Sequence, residues 1–158
     1  MLIRYNIQHA FYPGSDKTLN ALTLQILVDT LVRLNVAYLR ECKYHSHPVP
    51  LLYESGVVYD RTVVWEPIPA LYTRRHGDCK SLTGAWIAQA YMRGISANPV
   101  FRFVDNADGS TDYHILVALS NGTFEDPSKV LGMGQDEVAK YYGAGSYGME
   151  SIARRRRG

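Results

Sequence analysis

The stretch Tyr113-His114-Ile115-Leu116-Val117-Ala118-Leu119-Ser120-Asn121-Gly122-Thr123-Phe124-Glu125-Asp126-Pro127 decides the fold. Tyr113 to Leu119 is the clearest strand in the chain, and Asn121-Gly122 is a strong turn signal that returns it through Thr123-Phe124-Glu125. Asp126-Pro127 ends the returning strand, since proline has no N–H to offer a ladder. The register follows from the loop length. A two-residue loop of Asn121 and Gly122 pairs Ser120 with Thr123 and sets Asp126 opposite Val117, on the face away from His114. A three-residue loop from Ser120 to Gly122, closed by Gly122 in a left-handed bulge, sets Asp126 opposite Leu116. Asp126 is then a diagonal neighbour of His114 on the same face, about 7 to 8 Å away between backbones. An odd-length hairpin is therefore the expectation if His114 and Asp126 act together.

Upstream, Arg75-His76-Gly77-Asp78-Cys79-Lys80-Ser81-Leu82 runs from a turn signal into Ala85, Trp86, Ala88 and Ala90, which predicts a helix from about Asp78 to Arg93. Gly94 is placed to end it in a left-handed conformation, with Arg93 complementing the dipole. Cys79 falls in the first turn, where unpaired N–H groups and the dipole favour the thiolate. On these residues alone two readings of Cys79 stand, a nucleophile or a small buried hydrophobe. Asp78 reads as a structural cap, whose charge opposes thiolate formation unless it points away.

The other elements fall into place around these two. Ile3, Tyr5 and Ile7 alternate with Arg4, Asn6 and Gln8, the period of a strand. Phe11-Tyr12-Pro13-Gly14 breaks it, and Ser15 or Asp16 can cap a long helix. That helix carries Leu24, Leu27, Val28, Leu31, Leu34, Asn35 and Tyr38, with Leu19, Leu22 and Ile26 widening the stripe. Burial on more than one side is expected, ending before His45-Ser46-His47-Pro48. Leu51 to Asp60 reads as loop and short strand, Pro67-Ile68-Pro69 as extended, and Ala70 to Arg75 as a helical turn. Val100 to Val104 predicts a strand, Asp105 to Ser110 a loop, Gln135 to Tyr142 a short helix and Gly143 to Gly148 a flexible segment. Helices and antiparallel strands are grouped and do not alternate, so the fold class is α+β.

With 158 residues, 46% of them hydrophobic, residues 1–150 suit a single domain burying roughly 70% of its unfolded surface. The net charge of +2 comes from Arg154, Arg155, Arg156 and Arg157; without them the acidic residues outnumber the basic ones. Segment 151–158 is thus a basic tail, either solvated or in contact with nucleic acid or another acidic surface. Two cysteines make no disulfide framework and no signal peptide is evident, so a reducing, cytoplasmic setting is expected. No uninterrupted apolar run approaches the roughly 18 residues of a membrane span, and no membrane partner is expected. Cys42, His45 and His47, with His9 or His76, can be drawn as a zinc site, but Cys-x-x-His-x-His matches no common closed set; neither metal nor cofactor is expected.

A thiol nucleophile needs a base within hydrogen-bond reach and a third group to hold that base. His114 and Asp126 are the candidates for those roles. His76, three residues before Cys79, is the rival base, though no obvious carboxylate orients it.

Gly77-Asp78-Cys79 opening a helix, Tyr113-His114 on a strand and Glu125-Asp126-Pro127 after a hairpin resemble the transglutaminase-like superfamily of papain-like thiol enzymes. The resemblance covers roughly residues 60 to 130. Leu52-Tyr53-Glu54-Ser55-Gly56-Val57 followed by Trp65 is also similar to small transglutaminase-like proteins of phages and prophages. The resemblance implies a papain-like core with the cysteine helix packed on an antiparallel sheet. It also implies Cys79 as nucleophile, His114 as general base and acid, and Asp126 as orienter of the imidazole. The Cys79 N–H is one oxyanion donor; Trp65 and Tyr72 are candidates for a second, each against a packing role. The function expected is a cysteine-dependent amide hydrolase or acyl transferase acting on a peptide or protein. The alternative is a non-enzymatic virion or assembly protein, in host cytoplasm or virion, binding a larger particle through its tyrosine-rich surface and arginine tail.

Overall fold

Long uninterrupted helix-forming sequence sets the first element of the fold, because no glycine or proline occurs between Lys17 and Tyr44. The computed structural model describes residues 17–148. The expected strand around Ile3, Tyr5 and Ile7, the break at Phe11 to Gly14, the Ser15 or Asp16 cap and the tail of Arg154 to Arg157 lie outside them. Helix α1 spans Lys17–Tyr44. It closes with Ser46 at φ 56°, whose N–H donates to Lys43 O while that of His47 reaches Cys42 O. That is the Schellman arrangement, with serine in glycine's usual place.

The buried residues of α1, Ala21, Leu24, Val28, Leu31, Asn35 and Leu39, recur every three or four positions. They form one stripe. Leu19 (51% exposed), Leu22 and Ile26 (65% exposed) face outward, so burial is narrower than the sequence pattern implies. One 18-residue window of α1 has a mean hydropathy of 1.3, apolar enough to cross a membrane by length and composition alone, which the core helix of a soluble protein also satisfies.

Beyond a turn at Leu52–Glu54 come β1 (Val58–Tyr59), α2 (Ile68–Arg74), β2 (His76–Gly77) and α3 (Cys79–Met92). Strands β1 and β2 pair in parallel. Helix α2 starts at Ile68, not Ala70: Pro67 precedes it and Pro69 lies in its first turn, where a missing N–H costs no bond. Helix α3 is buried on almost every side. Gly84 makes its approach to α1 possible, since a Cβ there would lie 2.9 Å from Leu31 Cδ2.

The remainder is β3 (Ala97–Asp105), β4 (Thr111–Leu119), β5 (Phe124–Glu125), α4 (Pro127–Val130), α5 (Gln135–Tyr142) and β6 (Ser146–Gly148). The four strands form an antiparallel sheet ordered β5-β4-β3-β6. The architecture is therefore α+β, with the cysteine on a helix. Segment 143–148, expected to be flexible, instead supplies the edge strand β6, where Tyr147 stacks on Phe103 at 5.8 Å.

Phe101, Phe103 and Ile115 pack with Ala21, Leu24, Val28 and Cys79. Arg102 and His114, paired across β3 and β4, occupy the opposite face because strand side chains alternate. Pro50, Leu52, Tyr72 and Gln89 tie the other end of α3 together: Gln89 Oε1 accepts from Leu52 N at 2.9 Å, and its Nε2 reaches Pro50 O.

Candidate active site

The hairpin has the odd-length register. Val117 pairs with Glu125 and Ala118 with Phe124, which puts Asp126 opposite Leu116. Gly122 sits at φ 83°, where a side chain would be strained. Leu119 N–H donates to Thr123 O, so the odd-numbered amides of β4 point toward β5.

His114 and Asp126 meet as this register requires. His114 Nε2 lies 2.8 Å from Asp126 Oδ2, and the two residues are 1% and 9% exposed. Asp126 also caps α4, its Oδ1 accepting from the N–H of Ser128 at 3.0 Å and of Lys129 at 3.3 Å. Tyr142 O–H donates to Oδ2 as well. Burial alone would raise the Asp126 carboxyl, but the His114 bond and charge and then the Tyr142 bond outweigh it and hold the group below its ordinary range. The carboxylate is thus ionised at neutral pH. It accepts the proton on Nε2, which leaves the Nδ1 lone pair of a neutral His114 as the free base.

Cys79 stands at the start of α3, capped as expected by Asp78, whose Oδ1 accepts from Lys80 N. The Asp78 carboxylate also pairs with Lys80 Nζ, which reaches Thr62 O at 2.7 Å. Burial raises the Asp78 carboxyl, with Lys80 opposing.

The Cys79 N–H has no acceptor among the described residues. Register brings the thiol to β4. Ile115 would pair next with Pro127, which cannot donate, so the Ile115 amide and carbonyl are left at an open edge. Thr83 Oγ1 donates to Ile115 O at 3.1 Å, and the Ile115 N–H lies where it favours a Cys79 thiolate. The start of α3 therefore takes the place of a longer β5.

The expected lowering of the Cys79 pKa does not occur. The residue is 7% exposed, and burial, reinforced by the Asp78 charge, pushes its thiol up to about 12 against the opposing effects of Lys80 and the Ile115 amide. A half-turn of dipole is weaker than loss of water around a sulfur set among Ala21, Leu24, Phe101 and Phe103. No hydrogen bond joins Sγ to His114, although the Asp126 charge acts on the thiol.

Trp65 packs against the cluster containing Cys79, with Lys80 Nζ 5.9 Å from its ring. Tyr72 does not belong to the site. Its O–H donates to Pro50 O and accepts from Gln89, ten residues and so about 15 Å along α3 from Cys79. His76 is no better placed as a base: Nδ1 approaches Asp60 Oδ2 at 3.5 Å without hydrogen-bond geometry.

The segment between β1 and α2 runs over the start of α3. Glu66 N–H donates to Ser81 Oγ at 3.0 Å, and Arg61 reaches Asp112 at 3.6 Å and Glu137 at 3.7 Å. Between these anchors Val63 stands 92% exposed.

The sequence offers Tyr141 and Tyr142, which end α5, as groove or interface residues or as anchors of the C-terminal segment, not as partners of His114 and Asp126. Tyr141 stacks on His114 with ring centroids 5.1 Å apart, and Tyr142 bonds Asp126. The only signal in the sequence was an excess of tyrosine. Among the described residues no three His, Cys, Asp or Glu side chains gather as a metal would require; His45 is instead 3.7 Å from Glu41. Comparison of the chain with family models, curated proteins and solved structures finds no match.

Proposed function

We propose that the chain is a cysteine-dependent amide hydrolase or acyl transferase of the transglutaminase-like kind, with a papain-like core. The carrying observation is the buried 2.8 Å His114–Asp126 bond, set by the shifted hairpin beside the edge where Cys79 docks. With the start of α3 displaced around the open Ile115 edge, so that sulfur reaches the His114 face, the Cys79 thiol gives its proton to His114 Nδ1 as sulfur attacks an amide carbonyl carbon. The carbonyl oxygen, now an anion, is met by the Cys79 N–H, with the Trp65 indole as the second candidate donor. As the C–N bond breaks, the imidazolium returns the proton to the leaving amine and a thioester remains. Water or a second amine, deprotonated by Nδ1, then attacks the thioester and expels sulfur, which recovers its proton. Substrates are peptides or proteins, and a reducing cytoplasm or a virion assembled there suits two free cysteines.

The 7% exposure of Cys79 and its raised pKa favour a second reading, a virion or assembly protein that keeps the fold without the chemistry. Iodoacetamide alkylation of Cys79 at pH 7, in wild type and His114→Gln, separates them. For an enzyme, removing the base lowers the alkylation rate about tenfold or more. Equal rates would sink the enzyme reading and leave the assembly role.

A further inference from the structure

Helix α5 ends on adjacent tyrosines that straddle the imidazole–carboxylate pair, and we infer that Tyr142 is a positioning residue, acting on His114 through Asp126. Its hydroxyl and His114 Nε2 share a single carboxylate oxygen, Oδ2, while Oδ1 is occupied by the Ser128 and Lys129 amides. Four donors thus fix the carboxylate, and Tyr142 is the one side chain among them besides His114. Without the phenol, Oδ1 is still held by backbone, but Oδ2 keeps His114 as its one partner among the described residues, so nothing but the imidazole itself fixes the oxygen that orients it.

The phenol is itself held in place. Lys129 Nζ lies 4.5 Å from the Tyr142 ring centroid and the Arg102 guanidinium 5.2 Å, so cations flank the ring. Arg102, the cross-strand partner of His114, also donates through Nε to Tyr141 O and through Nη2 to Ser146 Oγ, both at 2.6 Å. The strand that pairs with that of the base therefore fixes the end of α5 that supplies the phenol. Burial and then Asp126 push the Tyr142 hydroxyl above its ordinary range, so it stays a donor at working pH. The role rests on the function proposed above, since orienting His114 matters only if His114 acts on Cys79.

The test is a carbon-13 NMR titration of the Asp126 carboxyl in wild type and Tyr142→Phe, which keeps the ring between its cations. Loss of the donor is expected to raise the midpoint by about half a unit to one unit. Alongside it, the pH profile of Cys79 alkylation is expected to move its acid limb upward in Tyr142→Phe, but not when His114→Gln is also present. Where Tyr142→Phe does not fold, 3-fluorotyrosine introduced at position 142 keeps the shape, strengthens the donor and is expected to lower the Asp126 midpoint. An unmoved midpoint in the folded variant overturns the role, as does an alkylation profile that ignores the phenol. The titration needs neither substrate nor thiol chemistry, so its failure is distinct from alkylation that proves independent of His114.

Discussion

The two sides of β4 are built on opposite physical rules. Around His114, the buried charge is met by partners: four donors reach the Asp126 carboxylate, and the Tyr141 ring stacks on the imidazole. Around Cys79, a polarisable thiol is set among apolar side chains and kept neutral by lack of water. An imidazole–carboxylate pair is thus assembled while the thiol proposed to work with it is buried and neutral. Activation of the thiol then depends on what happens to its surroundings, not on the helix end it occupies.

Breaking the assembled side has the largest expected effect. Asp126→Ala removes the helix cap and the partner of a buried imidazole together, and should cost about 3 kcal/mol in urea unfolding. Asp126→Asn still caps α4 and should cost roughly 1 kcal/mol less. Equal losses would show that the cap contributes little.

The withheld side is read by pH. The Cys79 pKa is raised in the folded chain, from an ordinary 9.0 to about 12. Between those values the unfolded chain releases a proton that the folded chain keeps, so stability is full below pH 9 and falls as pH rises. Slopes approach about 1.4 kcal/mol per pH unit. The expected outcome is a loss of about 1.6 kcal/mol between pH 9 and 10.5 in wild type relative to Cys79→Ser, measured by denaturant unfolding at each pH. Parallel curves would place the thiol in water.

Arg61 gives the smallest effect. Its exposed pairs with Asp112 and Glu137 hold down the segment over Cys79. Arg61→Ala should speed alkylation about threefold at low salt, consistent with the modest strength of surface ion pairs, and the gain should shrink in 1 M salt. No change would mean that the segment stays closed without them.

Local chemistry explains what was legible in the chain. The register of the β4–β5 hairpin followed from asking that Asp126 share a face with His114, with Gly122 able to close the odd-length loop, and the start of α3 followed from an aspartate cap. Both depend on residues a few positions apart. The misreadings came from distant contacts. β6 exists because Tyr147 finds Phe103 and Arg102 binds Ser146, which no glycine-rich local pattern reveals. Leu19, Leu22 and Ile26 fit a helical stripe, yet nothing among the described residues packs over them fully. Tyr72 was weighed as an oxyanion donor by sequence proximity, but its hydroxyl is committed to Pro50 and Gln89. The thiol was read from its helix position, whereas its burial is set by α1 and β3.

Pro127 leaves Ile115 without a partner on its β5 side, and α3 fills the gap with a hydroxyl and a thiol. An uncovered strand edge recruits other chains into intermolecular sheet. Loosening α3 from β4 would therefore have a colloidal consequence as well as a chemical one: any movement that freed Cys79 would also uncover a template for aggregation.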